Sequence, residues 1–182
     1  MKIGVNLPIT EPTLAACLKI NSEIVSLTQS LVTFGPRGNS SPHVTIAMGS
    51  IESDELIAQV ETAIQTLKSD LPDTIRLNFG PVYRESLTGH YIFSDVLFSD
   101  AVMDWRAKAQ RALHSLFVDP ARTSDVPHLT LGHISANFDK VDDYVAQLAE
   151  NIPPCDATSI DISRSGSKGV KLKVLKRVRV NE

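Results

Sequence analysis

The stretch PHVTIAMG at residues 42–49 returns, eighty-five residues later, as PHLTLGHI at 127–134. Each copy reads Pro, His, an apolar residue, Thr, an aliphatic residue. In a β-strand alternate side chains share a face, so His43 and Thr45 point one way with Ala47 and Gly49, while Val44, Ile46 and Met48 point the other. The second strand repeats the pattern, with His128, Thr130 and Gly132 on one face and Leu129 and Leu131 opposite. Each strand therefore has an apolar side suited to packing under helices and a polar side that can line a cleft.

The surrounding sequence repeats in architecture rather than letter for letter. MKIGVNL reads as a strand, and Glu11 to Leu31 carries helical spacing through Leu14, Cys17, Leu18, Ile24, Val25 and Leu27. After the loop FGPRGNSS come the strand His43 to Met48 and a helix from Glu52 to Leu67. Strands follow at Thr74 to Tyr83 and His90 to Phe98, joined by a turn over Arg84 to Gly89. A helix over Asp100 to Phe117 ends at Asp119-Pro120. After the second motif come a helix from Phe138 to Glu150 and a strand pair, Thr158 to Arg164 and Val170 to Val180, around SGSKG. Both halves run helix, His-x-Thr strand, helix, strand, strand. This self-similarity predicts an α+β fold with a pseudo-twofold axis: two lobes, each a small antiparallel sheet backed by helices, with a cleft between them. We expect residues 1–182 to form one domain of this kind.

Composition bounds the function. With 42% apolar and 21% charged residues, the chain has the make-up of a soluble globular protein. No apolar run is long enough to cross a bilayer, and MKIGVNLPITEPT lacks the apolar core of a signal peptide, so we expect a cytoplasmic protein without membrane attachment. No obligate protein partner is inferred. Cys17 and Cys155 stand alone without a CxxC spacing and read as reduced structural thiols. From Arg164 to Glu182 seven basic residues stand against one acid, a net of +6, which leaves −9 for the rest of a chain whose total is −3. In VKLKVLKRVRV the residues Lys171, Lys173, Arg177 and Arg179 alternate with apolar ones, apart from a slip at Leu175-Lys176 that reads as a bulge. A charged outer face on an edge strand accounts for the pattern, with phosphate or RNA contact as the second reading.

If the twofold brings the two His-Thr faces together, two imidazoles and two hydroxyls surround one small volume. Near neutral pH one neutral His can take a proton from an attacking water or hydroxyl while a protonated His gives one to the leaving oxygen. The threonines can hydrogen-bond the non-bridging oxygens of a phosphate. No HxH or HExxH spacing marks a metal site, and no cofactor is implied. In regular strand geometry His133 faces away from His128. His114 reads as structural, His90 as a surface residue and Trp105 as core. Tyr83 and Tyr91 flank the ESLTG turn and are the candidates for base stacking.

The pair His43-Val44-Thr45-Ile46 and His128-Leu129-Thr130-Leu131, in this order of elements, resembles the 2H phosphoesterase superfamily. Its LigT-like group contains 2′-5′ RNA ligases and 2′,3′-cyclic nucleotide phosphodiesterases, and its signature is two His-x-Thr/Ser-aliphatic tetrads. The resemblance implies a cleft between lobes and metal-independent chemistry on nucleotides or RNA with a cyclic or 2′-5′ phosphodiester. His128 is then the base and His43 the acid, roles that substrate or direction can exchange, with Thr45 and Thr130 holding the phosphate. Two other readings stand beside it: a nucleotide- or RNA-binding module of the same fold without significant turnover, and a divalent-metal hydrolase.

Overall fold

A computed structural model describes residues 1–120, 125–148 and 152–181. Its strands are β1 (Lys2–Pro8), β2 (His43–Ser50), β3 (Ile75–Arg84), β4 (Tyr91–Leu97), β5 (Asp119–Pro120), β6 (His128–His133), β7 (Cys155–Ala157), β8 (Ser159–Ser165) and β9 (Lys171–Arg179). Its helices are α1 (Thr13–Leu27), α2 (Glu55–Leu67), α3 (Asp100–His114) and α4 (Phe138–Ala146). The α+β class expected from the sequence is the observed one. Helix α1 is shorter than its apolar spacing suggested, because Leu31 is half-exposed and the chain turns at Thr28 toward β6. Helix α4 stops at Ala146, and its expected end at Glu150 lies outside the described residues. Strands β5 and β7, two and three residues long, carry too few positions to show an alternation.

The strand order is β7-β3-β4-β6-β2-β1-β8-β9, antiparallel throughout, with β5 attached to β2. Four strands lie on each side of the β6–β2 junction, and that junction is one register pair, Val44 with Leu129. The two small sheets expected from the repeat are thus joined along the tetrad strands into one curled path. Each side draws on both chain halves. Hairpin β3–β4 pairs with β6 from the second half, and β8 joins β2 through β1 from the first.

The helices form because their buried positions recur on one stripe. In α3 these are Val102, Trp105, Ala109 and Leu113, and Trp105 Nε1 donates to the Leu67 carbonyl at 3.0 Å, tying α3 to the end of α2. Asp100 in the first turn of α3 and Arg111 in the last suit its dipole. Helix α1 buries Cys17, Ile20 and Ile24, and Ile24 packs where a Cβ on Gly132 of β6 would stand, at 3.3 Å. Val5, Val44, Ile46, Leu129, Leu131 and Ile162 are fully buried in a core continuous across both sides. Cys17 and Cys155 are buried and unpaired, and burial pushes the Cys17 thiol up to about 12. Among the described residues no helix is long and apolar enough to cross a membrane.

Candidate active site

Val44 and Leu129 both point into the core. An antiparallel register that sets them opposite places His43 across from Thr130 and Thr45 across from His128, all four on the other face. On that face His43, Thr45, His128 and Thr130 line one cavity of ≈ 180 Å³, with Arg106 and Tyr91 among the other walls.

Past the tetrads the regular alternation fails, at the same place in both strands. Thr45 pairs with Asn6 and Ala47 with Val5, so Ile46 is an extra, bulged residue. Thr130 pairs with Phe93 and Gly132 with Ile92, so Leu131 is its counterpart. A bulge shifts the parity of everything beyond it. Ala47, Gly49 and Gly132, expected on the cleft face, turn to the core, where a Cβ on Gly49 would overlap Phe117. Met48 instead lines the cleft. His133, expected to face away from His128, stands on the same face. It is buried, edge-on to Tyr91 at 4.6 Å and stacked with His90 at 5.5 Å, so His90 is a packing partner rather than a surface residue. His114 is exposed in the last turn of α3.

Each bulge leaves a carbonyl out of its ladder, and a helix amide takes it up. Asn21 of α1 donates to the Leu131 carbonyl at 2.7 Å and to the Val32 carbonyl at 2.9 Å, while Phe34 N–H donates to its Oδ1 at 2.8 Å. Gln110 of α3 donates to the Ile46 carbonyl at 2.9 Å. Each of these helices backs the tetrad strand of the other half.

The imidazoles are held alike. His43 Nδ1 lies 2.7 Å from the Ser41 carbonyl and His128 Nδ1 lies 3.2 Å from the Val126 carbonyl, each two residues upstream. Only an N–H can bond a carbonyl, so Nδ1 carries the proton and Nε2 is left for chemistry. Their electrostatics differ. Burial brings His43 down to about 4; the Ser41 carbonyl opposes this, and the positive Lys171 and the neighbouring His128 add to it. Burial also lowers His128, but there the Val126 carbonyl and the charge of Asp95, directly across the ladder, act the other way.

The two walls of the cleft differ in chemistry. On the β4–β6 side the Phe93 ring lies 4.0 Å from that of His128 and stacks with Tyr91 at 5.2 Å. A second cavity of ≈ 390 Å³ adjoins there, sharing Tyr91, Phe93 and His128 with the first and adding Tyr83, Asp95 and Leu87. Tyr83 O–H donates to Asp95 Oδ1 at 2.7 Å. Tyr91 thus borders both cavities and Tyr83 the outer one alone. Phe93, missed in the sequence, was legible there as the residue two beyond Tyr91. Arg106 gave no such signal, because a cation inside a helical stripe looks like solvent-facing charge.

The β1–β8–β9 side is polar. Thr45, Asn6, Asp161 and Arg177 form one row across the ladders. Asp161 is fully buried and accepts from Lys171 Nζ at 2.8 Å and from Arg177 Nε and Nη2 at 2.6 and 3.0 Å. Burial works to raise its carboxyl, and Arg177 and Lys171 outweigh that and hold it below the usual range. The outer-face reading of the tail therefore fails for Lys171, which is buried, while Arg177 stays more than half exposed and reaches Asp161 from the surface. Strand β9 carries the bulge foreseen at Leu175 and a second at Leu172, and together they turn Lys171, Val174 and Arg177 to the side of Asp161. Lys173 stays exposed, and Lys176 pairs with Glu61 at 3.1 Å. Among the described residues no three His, Cys, Asp or Glu side chains are grouped as metal ligands.

No protein-family model matches the sequence, and a search of curated proteins finds no match. Solved structures do match. TT0787 of Thermus thermophilus superposes with a TM-score of 0.68 at 14% identity, over 100% of this chain and 98% of its own. E. coli LigT in apo form gives 0.61 at 10% identity over 98% and 96%, and E. coli LigT complexed with 3′-AMP gives 0.58 at 12% identity over 100% and 98%. Identities this low establish fold rather than activity, and over its length this chain has the LigT-like fold that its two tetrads led us to expect.

Proposed function

We propose that this chain is a phosphodiesterase acting on 2′,3′-cyclic phosphates or 2′-5′ linkages of nucleotides or short RNA, with residues 1–182 working as one unit. The observation that supports it most is the matched pair of imidazoles, each tied by Nδ1 to a carbonyl two residues upstream, opening Nε2 onto one cavity that also holds Thr45 and Thr130.

The surroundings favour His43 as base and His128 as acid, the reverse of the roles the resemblance implies. His43, brought down to about 4, is neutral over the working range. His128 has the carboxylate of Asp95 across the ladder to stabilise its protonated form. In hydrolysis His43 Nε2 takes a proton from water as the water oxygen bonds to phosphorus. The P–O bond to one ribose oxygen breaks, and His128 Nε2–H protonates that oxygen. Thr45, Thr130 and Arg106 face the charge that develops on the non-bridging oxygens.

The inner cavity, at ≈ 180 Å³, falls below the roughly 300 Å³ at which small-molecule pockets begin. It takes the phosphate and the ribose edge, and the base continues onto Phe93 and Tyr91 in the outer cavity. The carboxylates of Glu85 and Asp95 in that outer cavity repel a phosphate and accept a neutral base. LigT complexed with 3′-AMP, a structure with this fold, holds a nucleotide with a phosphate on a ribose hydroxyl. The test is turnover of 2′,3′-cyclic AMP, a 2′-5′ dinucleotide and an RNA ending in a cyclic phosphate, with EDTA present. Conversion of at least one of them supports the proposal, and inertness toward all three, or an absolute need for added divalent metal, overturns it.

A further inference from the structure

The two tetrad threonines are equivalent in sequence and unlike in the fold. Among the described residues the Thr130 hydroxyl has no hydrogen bond. Thr45 Oγ1 lies 3.2 Å from Asn6 Oδ1 and donates to it. Asn6 is itself 2% exposed, and its Nδ2 donates to Ser163 Oγ at 2.7 Å; Ser163 is fully buried and reaches the Gly4 carbonyl at 3.5 Å. Gly4 makes room for this chain, since a Cβ there would stand 3.1 Å from Asn6 Nδ2.

A threonine has one proton to give. While Thr45 donates to Asn6 it offers the cleft only lone pairs, which a phosphate oxygen repels. The amide of Asn6 is nearly symmetric in shape, and turning it by 180° reverses the chain without removing it. Ser163 O–H then donates to Oδ1, Nδ2 donates to Thr45 Oγ1, and the Thr45 proton is released toward the cleft. The only bond given up is the long one from Ser163 to Gly4.

Resting on the phosphodiesterase reading, we propose that Asn6 is the positioning residue for Thr45: with a phosphate in the cavity its amide is turned, so that Nδ2 donates to Thr45 and the Thr45 hydroxyl donates to a phosphate oxygen. Asn6 meets no substrate atom and acts through Thr45. The fold thus makes the first tetrad threonine a donor switched on by the anion it binds, and leaves the second free to turn.

A double-mutant cycle tests this. Asn6→Asp keeps the size and the acceptor but cannot donate, so it holds the Thr45 proton. Asn6→Ala removes both the acceptor that holds the Thr45 proton and the amide that turns it, so it should lower kcat less than Asn6→Asp; the Asn6 amide signal of the parent protein serves if the carboxylate disturbs folding. On a cyclic nucleotide substrate, Asn6→Asp and Thr45→Ala should each lower kcat about 100-fold, with the double variant no slower than either single. Combined with Thr130→Ala, the Asn6 changes should multiply. The same cycle is read in Kd for 3′-AMP by titration calorimetry, and the Asn6 side-chain amide signal should move on adding 3′-AMP to the parent protein but not to Thr45→Ala. Binding of 3′-AMP without turnover of any substrate would sink the hydrolase reading alone and leave the cycle in Kd to decide on Asn6. Multiplying effects of the Asn6→Asp and Thr45→Ala changes, Asn6→Asp within threefold of the parent protein, an Asn6 amide signal that 3′-AMP leaves in place, or no binding of 3′-AMP at all would overturn the proposal.

Discussion

Val44 and Leu129 face each other as the one register pair through which the two tetrad strands meet. Each follows its histidine directly, so this apolar pair, fully buried, sets the spacing of the polar groups on the other face. In a regular ladder the two histidines are then diagonal neighbours, about 7–8 Å apart and somewhat closer between Cβ atoms, which lets their rings flank one phosphate.

Replacing His43 or His128 by Ala should nearly abolish turnover of a 2′,3′-cyclic nucleotide, and the double variant should be little worse, since an acid and a base acting in one displacement fail together. Thr130→Ala should cost about 100-fold in kcat and Thr130→Ser far less, because only the hydroxyl acts. Initial rates at saturating substrate separate these outcomes, and full activity in the double histidine variant would remove the imidazoles from the mechanism.

The pH profile of kcat/KM should be a bell centred on the acid side of neutrality. The base must be unprotonated, and His43 loses its proton above about 4. The acid must be protonated, and His128, lowered by burial from its ordinary value near 6.5, holds its proton only below that value. Activity therefore rises through about 4 and falls before 6.5. Lys171→Met removes a positive charge near His43 and should move the acid limb upward. A plateau extending to about pH 8 would contradict these assignments.

The bulges depend on their helix amides. Asn21→Ala strips partners from two carbonyls and one N–H in the interior and should cost about 3 kcal/mol of stability. Gln110→Ala removes the part-buried cap of the Ile46 bulge and should cost about 1 kcal/mol. Denaturant titration reads both, and a neutral Asn21→Ala would show that these carbonyls are satisfied in another way.

Lys171 and Lys173 look equivalent in the sequence and should behave differently. Lys171→Ala removes the buried partner of the buried Asp161 and should cost about 3 kcal/mol, while Lys173→Ala on the exposed face should stay within about 0.5 kcal/mol. Similar midpoints for the two variants in urea would refute the buried placement of Lys171.

The sequence by itself determined the longer strands, the helices and the faces of the tetrads, because periodicity of 2 or 3.6 is a local property that burial imposes on consecutive residues, and β5 and β7 are too short to carry it. It carried His43, Thr45, His128 and Thr130 to one side of their strands, and Tyr91 with them to the edge of the cleft. Tertiary structure decided the rest. The bulges at Ile46 and Leu131 are capped from far away in the chain, by Gln110 and Asn21 respectively, and those bulges turn Met48 into the cleft, bring His133 to the face of His128 against Tyr91, and turn Gly49 and Gly132 away. The fate of the basic tail was likewise set from outside it. Asp161 on a neighbouring strand, sealed from water, draws in Lys171 and holds the guanidinium of the exposed Arg177 over it, since a buried carboxylate without counter-charge is far costlier than one with it. Exchange of strands between the two halves is a choice of ladder partners, and one strand's own residues do not encode which edge it will meet.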